Sequence, residues 1–330
     1  MIKQLTKKSF LLQILITIIV FCALWYPSFL RPEAALSSNI QGPLYSDIVK
    51  LFSAPFFSVA IAWVLVLFQA FIINVFFIKN HLIQNNNYFP SLLTVVLYSW
   101  NAKCLTLHPV LLANFFMLFG IYYFLNISSK KDSLQSTLIG AFLISVASLI
   151  YLPYIYFYIF CFIALIEHRV NTWREYIIVS IGFLLPYLFY LTFIFLVGEI
   201  NILVEYFPLI FNPGINISET YTTNAAGIVV VLLVLVSLFI VLNNLYDKVI
   251  RTKIKSKIII AFFITSLILS FLCGVPVAEA VFILLPSVIY MINMALSFKK
   301  KTFAFEVFIV VSLILVIVLR IWNSFFGLTV

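Results

Sequence analysis

Charge is what this sequence has least of. Asp, Glu, Lys and Arg make up 9% of its 330 residues, while 64% are hydrophobic. A water-soluble domain carries about 25% charged residues, so this chain has too few polar side chains to cover a surface in water. The mean hydropathy of +1.17 agrees, and lipid is the solvent the composition demands. Glycine is also scarce, at nine residues, and no GxxxxGK[ST], GxGxxG, HExxH or GxSxG motif occurs. Nucleotide cradling and the common hydrolase chemistries therefore have no sequence support. The four cysteines, Cys22, Cys104, Cys161 and Cys273, form no CxxC pair, so they read as packing residues rather than redox or metal centres.

A further absence concerns depth. A charge at mid-membrane costs about 2.5–3.5 kcal/mol on insertion scales, and every Asp and Glu here falls near the end of an apolar run or in a loop. That excludes a buried carboxylate relay of the kind that drives ion pumps. The net charge of +9 does not point to nucleic acid, because the basic residues sit in short loops between apolar runs, where anionic lipid headgroups are the simpler partner.

What is present is a succession of apolar runs. Hydropathy, broken at charge clusters and at Pro, Gly and Asn, places spans at 9–27, 56–78, 89–102, 109–126, 137–149, 151–166, 177–198, 225–243, 258–272, 275–297 and 303–323. The basic start, MIKQLTKKSF, followed by an apolar run without a small-residue cleavage site, reads as a retained first span. Two long runs, 137–166 and 258–297, are each readable as one tilted helix or two short ones. The bias of Lys and Arg towards cytoplasmic loops decides between them. With eleven spans and a cytoplasmic N-terminus, sixteen of the twenty basic residues fall inside, leaving Arg31, Lys50, Lys103 and Arg320 outside. The expectation is an all-α, polytopic helical bundle over residues 1–330, a single transmembrane domain with its C-terminus outside. Two outer loops, 28–55 and 199–224, are long enough to fold, and their stretches LYSDIVKLF and ILVEYFPLIF have the spacing of helices lying in the interface.

The polar inventory on that outer side is short. Glu33 and Asp47 in the first loop suit a general base or a ligand for a divalent metal, with Arg31 and Lys50 close in sequence to hold an anionic group. Lys103 and His108 lie together at the start of a span, as two groups suited to a lipid phosphate. Against each stands a plain alternative: solvated loop charges, a structural interface histidine, and Asn114 as a helix-packing contact. Glu279, after CGVPVAE in a tight turn, either snorkels to the surface or requires a partner.

The stretch from Asn87 to about Leu196 resembles a family of uncharacterised bacterial multi-pass membrane proteins. The resemblance is carried by FPSLLTVVLYSW, LHPVLLANFFMLFGIYYFL and the segment from LIGAFLISVASLIYLPY to IGFLLPYL, with NTWREY its most distinctive element. In its order of a first span, a long outer loop, a span pair and a short helical hairpin, the chain also resembles the GT-C lipid-linked glycosyltransferases. That resemblance implies a polyprenyl-phosphate-linked sugar donor at the outer face of a bacterial cytoplasmic (inner) membrane. It also implies an acidic catalytic residue in the first outer loop, here Glu33 or Asp47, with Arg31 and Lys50 as phosphate contacts. The paired-acid signature of that superfamily is absent. The absence favours a second class, a non-catalytic subunit that docks other envelope proteins; a lipid flippase or transporter is a third.

Overall fold

The computed structural model describes residues 10–38, 40–52, 54–82, 89–100, 105–127, 133–170, 172–197, 235–243 and 250–297, with residues 311 and 318. Its elements are α1 (Phe10–Leu30), α2 (Pro43–Leu51), α3 (Pro55–Lys79), α4 (Phe89–Tyr98), α5 (Pro109–Leu125) and α6 (Ser133–Ile150). A 3-10 turn (Leu152–Tyr156) leads into α7 (Phe157–Glu167), followed by α8 (Trp173–Val197), α9 (Ile250–Leu272) and α10 (Val277–Ser297). Residues 235–243 are also helical. The expected outer loop 199–224, Lys103 and nearly all of the expected span 303–323 lie outside the described residues.

The chain is an all-helical membrane protein. Among the described residues five helical stretches, Gln13–Leu30, Pro55–Lys79, Ser133–Ile150, Trp173–Val197 and Thr252–Leu272, are long and apolar enough to cross a bilayer; α4, α5, the segment Leu152–Glu167 and the stretch Glu279–Ala295 within α10 are apolar but shorter. Local signals set the boundaries. Pro43, Pro55 and Pro109 open α2, α3 and α5 at the first helical turn, where the missing N–H costs nothing and φ is already helical. At the other ends, α3, α7 and α9 are followed by His81, Arg169 and Gly274 at φ 54°, 54° and 56°. The next N–H in each case, of Leu82, Val170 and Val275, reaches back to Phe77, Leu165 and Ser270 O, the Schellman closure.

Both ambiguous apolar runs are helical hairpins. His168, after α7, bonds Phe124 O at the end of α5 (2.8 Å), while Ser133 at the start of α6 bonds Glu175 at the start of α8 (3.2 Å). The two ends of 133–167 therefore lie together, and the chain reverses at Tyr151–Tyr156. In the same way Ser256 on α9 meets Tyr290 on α10, placing the reversal at Cys273–Pro276. The helix α9 starts eight residues before the apolar window, inside the basic run, because Lys and Arg are good helix formers even where they are poor membrane residues.

Small residues let the central helices approach. A Cβ on Gly120 would sit 2.7 Å from Ile144, one on Gly140 2.9 Å from the Phe124 ring, and one on Gly182 2.8 Å from Leu138 O. This is how α5, α6 and α8 pack in a medium that gives no hydrophobic drive for association. Polar ties cross the α6–α8 interface, where Ser145 Oγ donates to Phe183 O and Ser148 pairs with Tyr187 (2.7 Å), and Tyr158 on α7 pairs with Ser180 on α8 (2.8 Å). The obstacle at Gly182 is backbone, whereas at Gly140 it is a ring edge that can move. Gly182→Ala is therefore expected to lower stability by about 1–3 kcal/mol and Gly140→Ala by less, measured as thermal unfolding midpoints in detergent; equal midpoints for the two variants would contradict the packing described.

Candidate functional site

The first loop is built onto the bundle end rather than left in solvent. Residues 31–38 run extended from α1, and Leu36 N–H donates to Leu107 O (2.9 Å). The Tyr45 hydroxyl lies 2.8 Å from Leu36 O and 2.9 Å from Leu107 O and donates between them, while Ser58 Oγ receives Leu107 N–H (3.1 Å). Burial raises the Tyr45 pKa further above its ordinary value, so the hydroxyl remains a donor. Gly42 N–H donates to Ile150 O (2.8 Å), and Gln41 bridges Tyr151 at the α6 turn. Only glycine fits there, since a Cβ at position 42 would meet Leu149 O at 2.0 Å.

These contacts lay α2 against the end of α6, and beside it opens a groove of about 940 Å³ between α2, α6 and α8. Its walls are apolar, including Phe142, Val146, Leu149, Phe189, Phe193 and Ile194. The polar groups lining it are Asp47, Lys50, Ser46 and Tyr190. Asp47 pairs with Lys50 across one helical turn (3.3 Å) and accepts from the Tyr190 hydroxyl (3.4 Å). The pair is open to solvent, with side chains 45% and 74% exposed, so it contributes little to stability. The arrangement is amphiphilic: a long hydrocarbon fits the walls, and a head bearing both charge and hydroxyl groups fits the mouth.

Beneath the loop lies a chain of buried hydrogen bonds. Tyr151 donates to Glu279 (2.8 Å), Tyr154 donates to Asn114 Oδ1, and Asn114 Nδ2 donates to Phe282 O (2.8 Å) and Tyr98 Oη (3.2 Å). His108 is 3% exposed, receives Phe282 against its ring at 4.8 Å and places Nδ1 3.1 Å from Thr106 O. Burial lowers its pKa to about 4, so the imidazole is neutral at pH 7. His108 Nε2, Thr106 Oγ1 and Trp100 Nε1 are buried without hydrogen-bond partners among the described residues.

The sequence-selected residues therefore separate. Asp47 and Lys50 come together at the groove. Arg31 and Glu33 are exposed on the extended segment after α1 and do not line the groove. His108, selected as a phosphate contact, is instead an interior residue and carries no charge to offer a headgroup. Asn114 makes a packing contact, as its plain reading had it, but as the hub of a network rather than a pairwise tie. Glu279 does have a partner, Tyr151. Tyr190 was not singled out, because one tyrosine among seventeen in an aromatic-rich chain gives no signal until α8 is folded beside α2. Among the described residues no three His, Cys, Asp or Glu lie together in a way that holds a metal.

No family model, curated protein or solved structure matches the chain. Fold and site together define a class: an all-helical membrane protein whose docked first loop forms an amphiphilic groove with α6 and α8.

The buried neutral His108 has a consequence for pH. Its folded pKa lies below the ordinary 6.5, so the unfolded chain binds the extra proton first and stability declines as pH falls from about 6.5 to about 4, being full above that window. His168, likewise lowered mainly by burial, acts in the same sense. Thermal midpoints of the wild type and His108→Gln across pH 7.5 to 4 should converge as pH falls; parallel profiles would show that His108 is not a buried neutral group.

Proposed function

We propose that the chain is a membrane transferase that seats the hydrocarbon of a polyprenyl-phosphate-linked sugar in the groove and transfers the sugar at its mouth. In this reading Asp47 takes the proton from an acceptor hydroxyl as its oxygen bonds to the anomeric carbon. The bond between that carbon and the phosphate oxygen breaks, the polyprenyl phosphate leaves with the electron pair, and Lys50 balances the charge it carries. Tyr190 orients the Asp47 carboxylate. The single observation behind the reading is the joining of apolar walls and a carboxylate–ammonium pair in one groove of about 940 Å³. The reading includes the finer topology of eleven spans in a bacterial cytoplasmic membrane, N-terminus inside, with the groove on the outer face. Arg31 and Glu33, exposed near the same loop, serve there as secondary contacts for the polar acceptor.

One observation favours a second reading. Asp47 is held by Lys50 and Tyr190, and Glu33 does not share the groove, so the acid pair of a committed glycosyltransferase is missing. In that case the protein is a non-catalytic subunit of an envelope assembly, and the groove receives lipid or a partner helix. The readings separate on Asp47→Asn, an isosteric change that removes the base and keeps the shape. Transfer of labelled sugar from a polyprenyl-phosphate donor in membrane vesicles should fall about 10²–10⁴-fold at unchanged protein level, with a smaller loss for Lys50→Gln. Wild-type transfer by Asp47→Asn would discard the base assignment and leave the subunit reading.

A further inference from the structure

The helix α8 is tied firmly along its first half and loosely along its last. From Trp173 to Tyr187 the ties follow one another: Glu175 with Ser133 (3.2 Å), Ser180 with Tyr158 (2.8 Å), Phe183 O with Ser145 Oγ, Tyr187 with Ser148 (2.7 Å), and the close approach of Gly182 to Leu138 O. The buried residues of α8 are Glu175, Val179, Gly182, Phe183, Pro186 and Ile194, so a single one lies beyond Pro186. From Leu188 to Val197 every leucine, phenylalanine and valine is at least half exposed. Thr192 turns its hydroxyl back to Phe189 O (2.8 Å) in the same helix. The change of character falls at Pro186. Proline has no N–H, so the helical bond that residue 186 would make to Gly182 O cannot form, and the helix is weakest at that point.

The groove beside α2 has this loose half as its outer wall. Every α8 residue that lines it, Pro186, Phe189, Tyr190, Phe193, Ile194 and Val197, is at or beyond the proline. These positions follow the i, i+3, i+4, i+7, i+8, i+11 spacing of one helix face. Leu188, Leu191 and Phe195 fall on the opposite face and are exposed, so the segment stands between the groove and the lipid. Tyr190 Oη reaches Asp47 on α2 at 3.4 Å, which is long for a bond between a hydroxyl and an oxygen.

We propose that Leu188–Val197 is a hinged wall, which turns about Pro186 out into the lipid and admits a hydrocarbon chain sideways from the bilayer into the groove. The swing meets little resistance, because lipid tails are as apolar as the leucines and phenylalanines on the segment and no hydrophobic drive holds helices together in that medium. Among its contacts the segment gives up the packing of Ile194 and the bond from Tyr190 to Asp47. The wall requires the groove to take a hydrocarbon, as in the reading above, and is indifferent to the transfer step.

Two measurements on the full chain test it. In a chain whose four native cysteines are replaced by serine, spin labels at Leu196, in the wall, and at Ile177, in the tied half, are each paired with one at Phe68 on α3; all three side chains are exposed. The pair from 196 should show two distances and the pair from 177 one. Tyr190→Phe should raise the population of the longer distance at 196, and Pro186→Ala, which restores the N–H, should lower it. In phosphatidylcholine nanodiscs, loading and release of a fluorescent polyprenyl phosphate should both slow about 2–10-fold in Pro186→Ala, whereas a residue that only shapes the groove changes release alone. A single distance at 196 in both wild type and Tyr190→Phe, equal spread at 177 and 196, or wild-type loading by Pro186→Ala would each overturn the hinge. Two distances at 196 with no polyprenyl phosphate loaded would overturn the ligand of the reading above and support the hinge. If Pro186→Ala or the cysteine-free chain does not fold, loading by Tyr190→Phe decides: faster loading supports the hinged wall, and an unchanged rate overturns it.

Discussion

Within hydrocarbon no water is present to satisfy a polar group, so each must find its partner inside the protein. Most of this fold follows from that constraint. It makes the backbone helical, sends serine and threonine hydroxyls back to helix carbonyls, as in Thr137 to Ser133 O and Ser256 to Thr252 O, and gathers other polar side chains into networks. The hub at Asn114 shows the result: its amide group joins Tyr98, Tyr154 and the backbone of Phe282, tying α4, α5, the 3-10 turn and α10 with one side chain. The first loop obeys the same demand. Where it crosses the bundle end, the carbonyls of Leu36, Leu107 and Ile150 are taken up by Tyr45 and Gly42.

Two ends of contrasting character result. One carries the docked loop, the hairpin turns at Tyr151 and Gly274, and the groove with Asp47 and Lys50. The other collects Lys79, Arg169, Arg174, Lys253, Lys255 and Lys257, together with helix ends whose exposed carbonyls favour cations. Lys255 is buried against two such ends, reached through Asn80 and Asn126, whose amide nitrogens donate to Phe76 O and Tyr122 O and so turn their oxygens toward the ammonium. Lys255 on α9 is thus a tie within the bundle.

Much of the architecture was legible because lipid imposes a simple code. Apolar runs gave helices α1 and α3 to within a few residues, and charge partition correctly divided 137–166 and 258–297, since a hairpin and a single helix place the flanking cations differently. The helix in LYSDIVKLF was legible from its spacing. The site was legible only in part. Asp47 and Lys50 are one turn apart on a helix, a relation visible in sequence, whereas Tyr190 and the apolar walls come from helices far along the chain. His108 follows its structural alternative, which sequence alone does not single out because polarity at a span start looks the same whether the side chain faces headgroups or the interior; the deciding neighbour, Phe282, is on α10. Glu279 was recognised as needing a partner, but no local pattern names Tyr151.

The transferase account requires a prenyl chain in the groove between α2, α6 and α8. The direct measurement is photo-crosslinking from a photoreactive residue placed at Phe193, on the groove wall, and at Ile181, exposed on α8 away from it, using a labelled polyprenyl-phosphate in native membranes. The account predicts strong labelling from position 193, competed by unlabelled polyprenyl phosphate, and only background from position 181. Equal labelling from both positions, or labelling at 193 that ordinary phospholipid competes equally well, would contradict it.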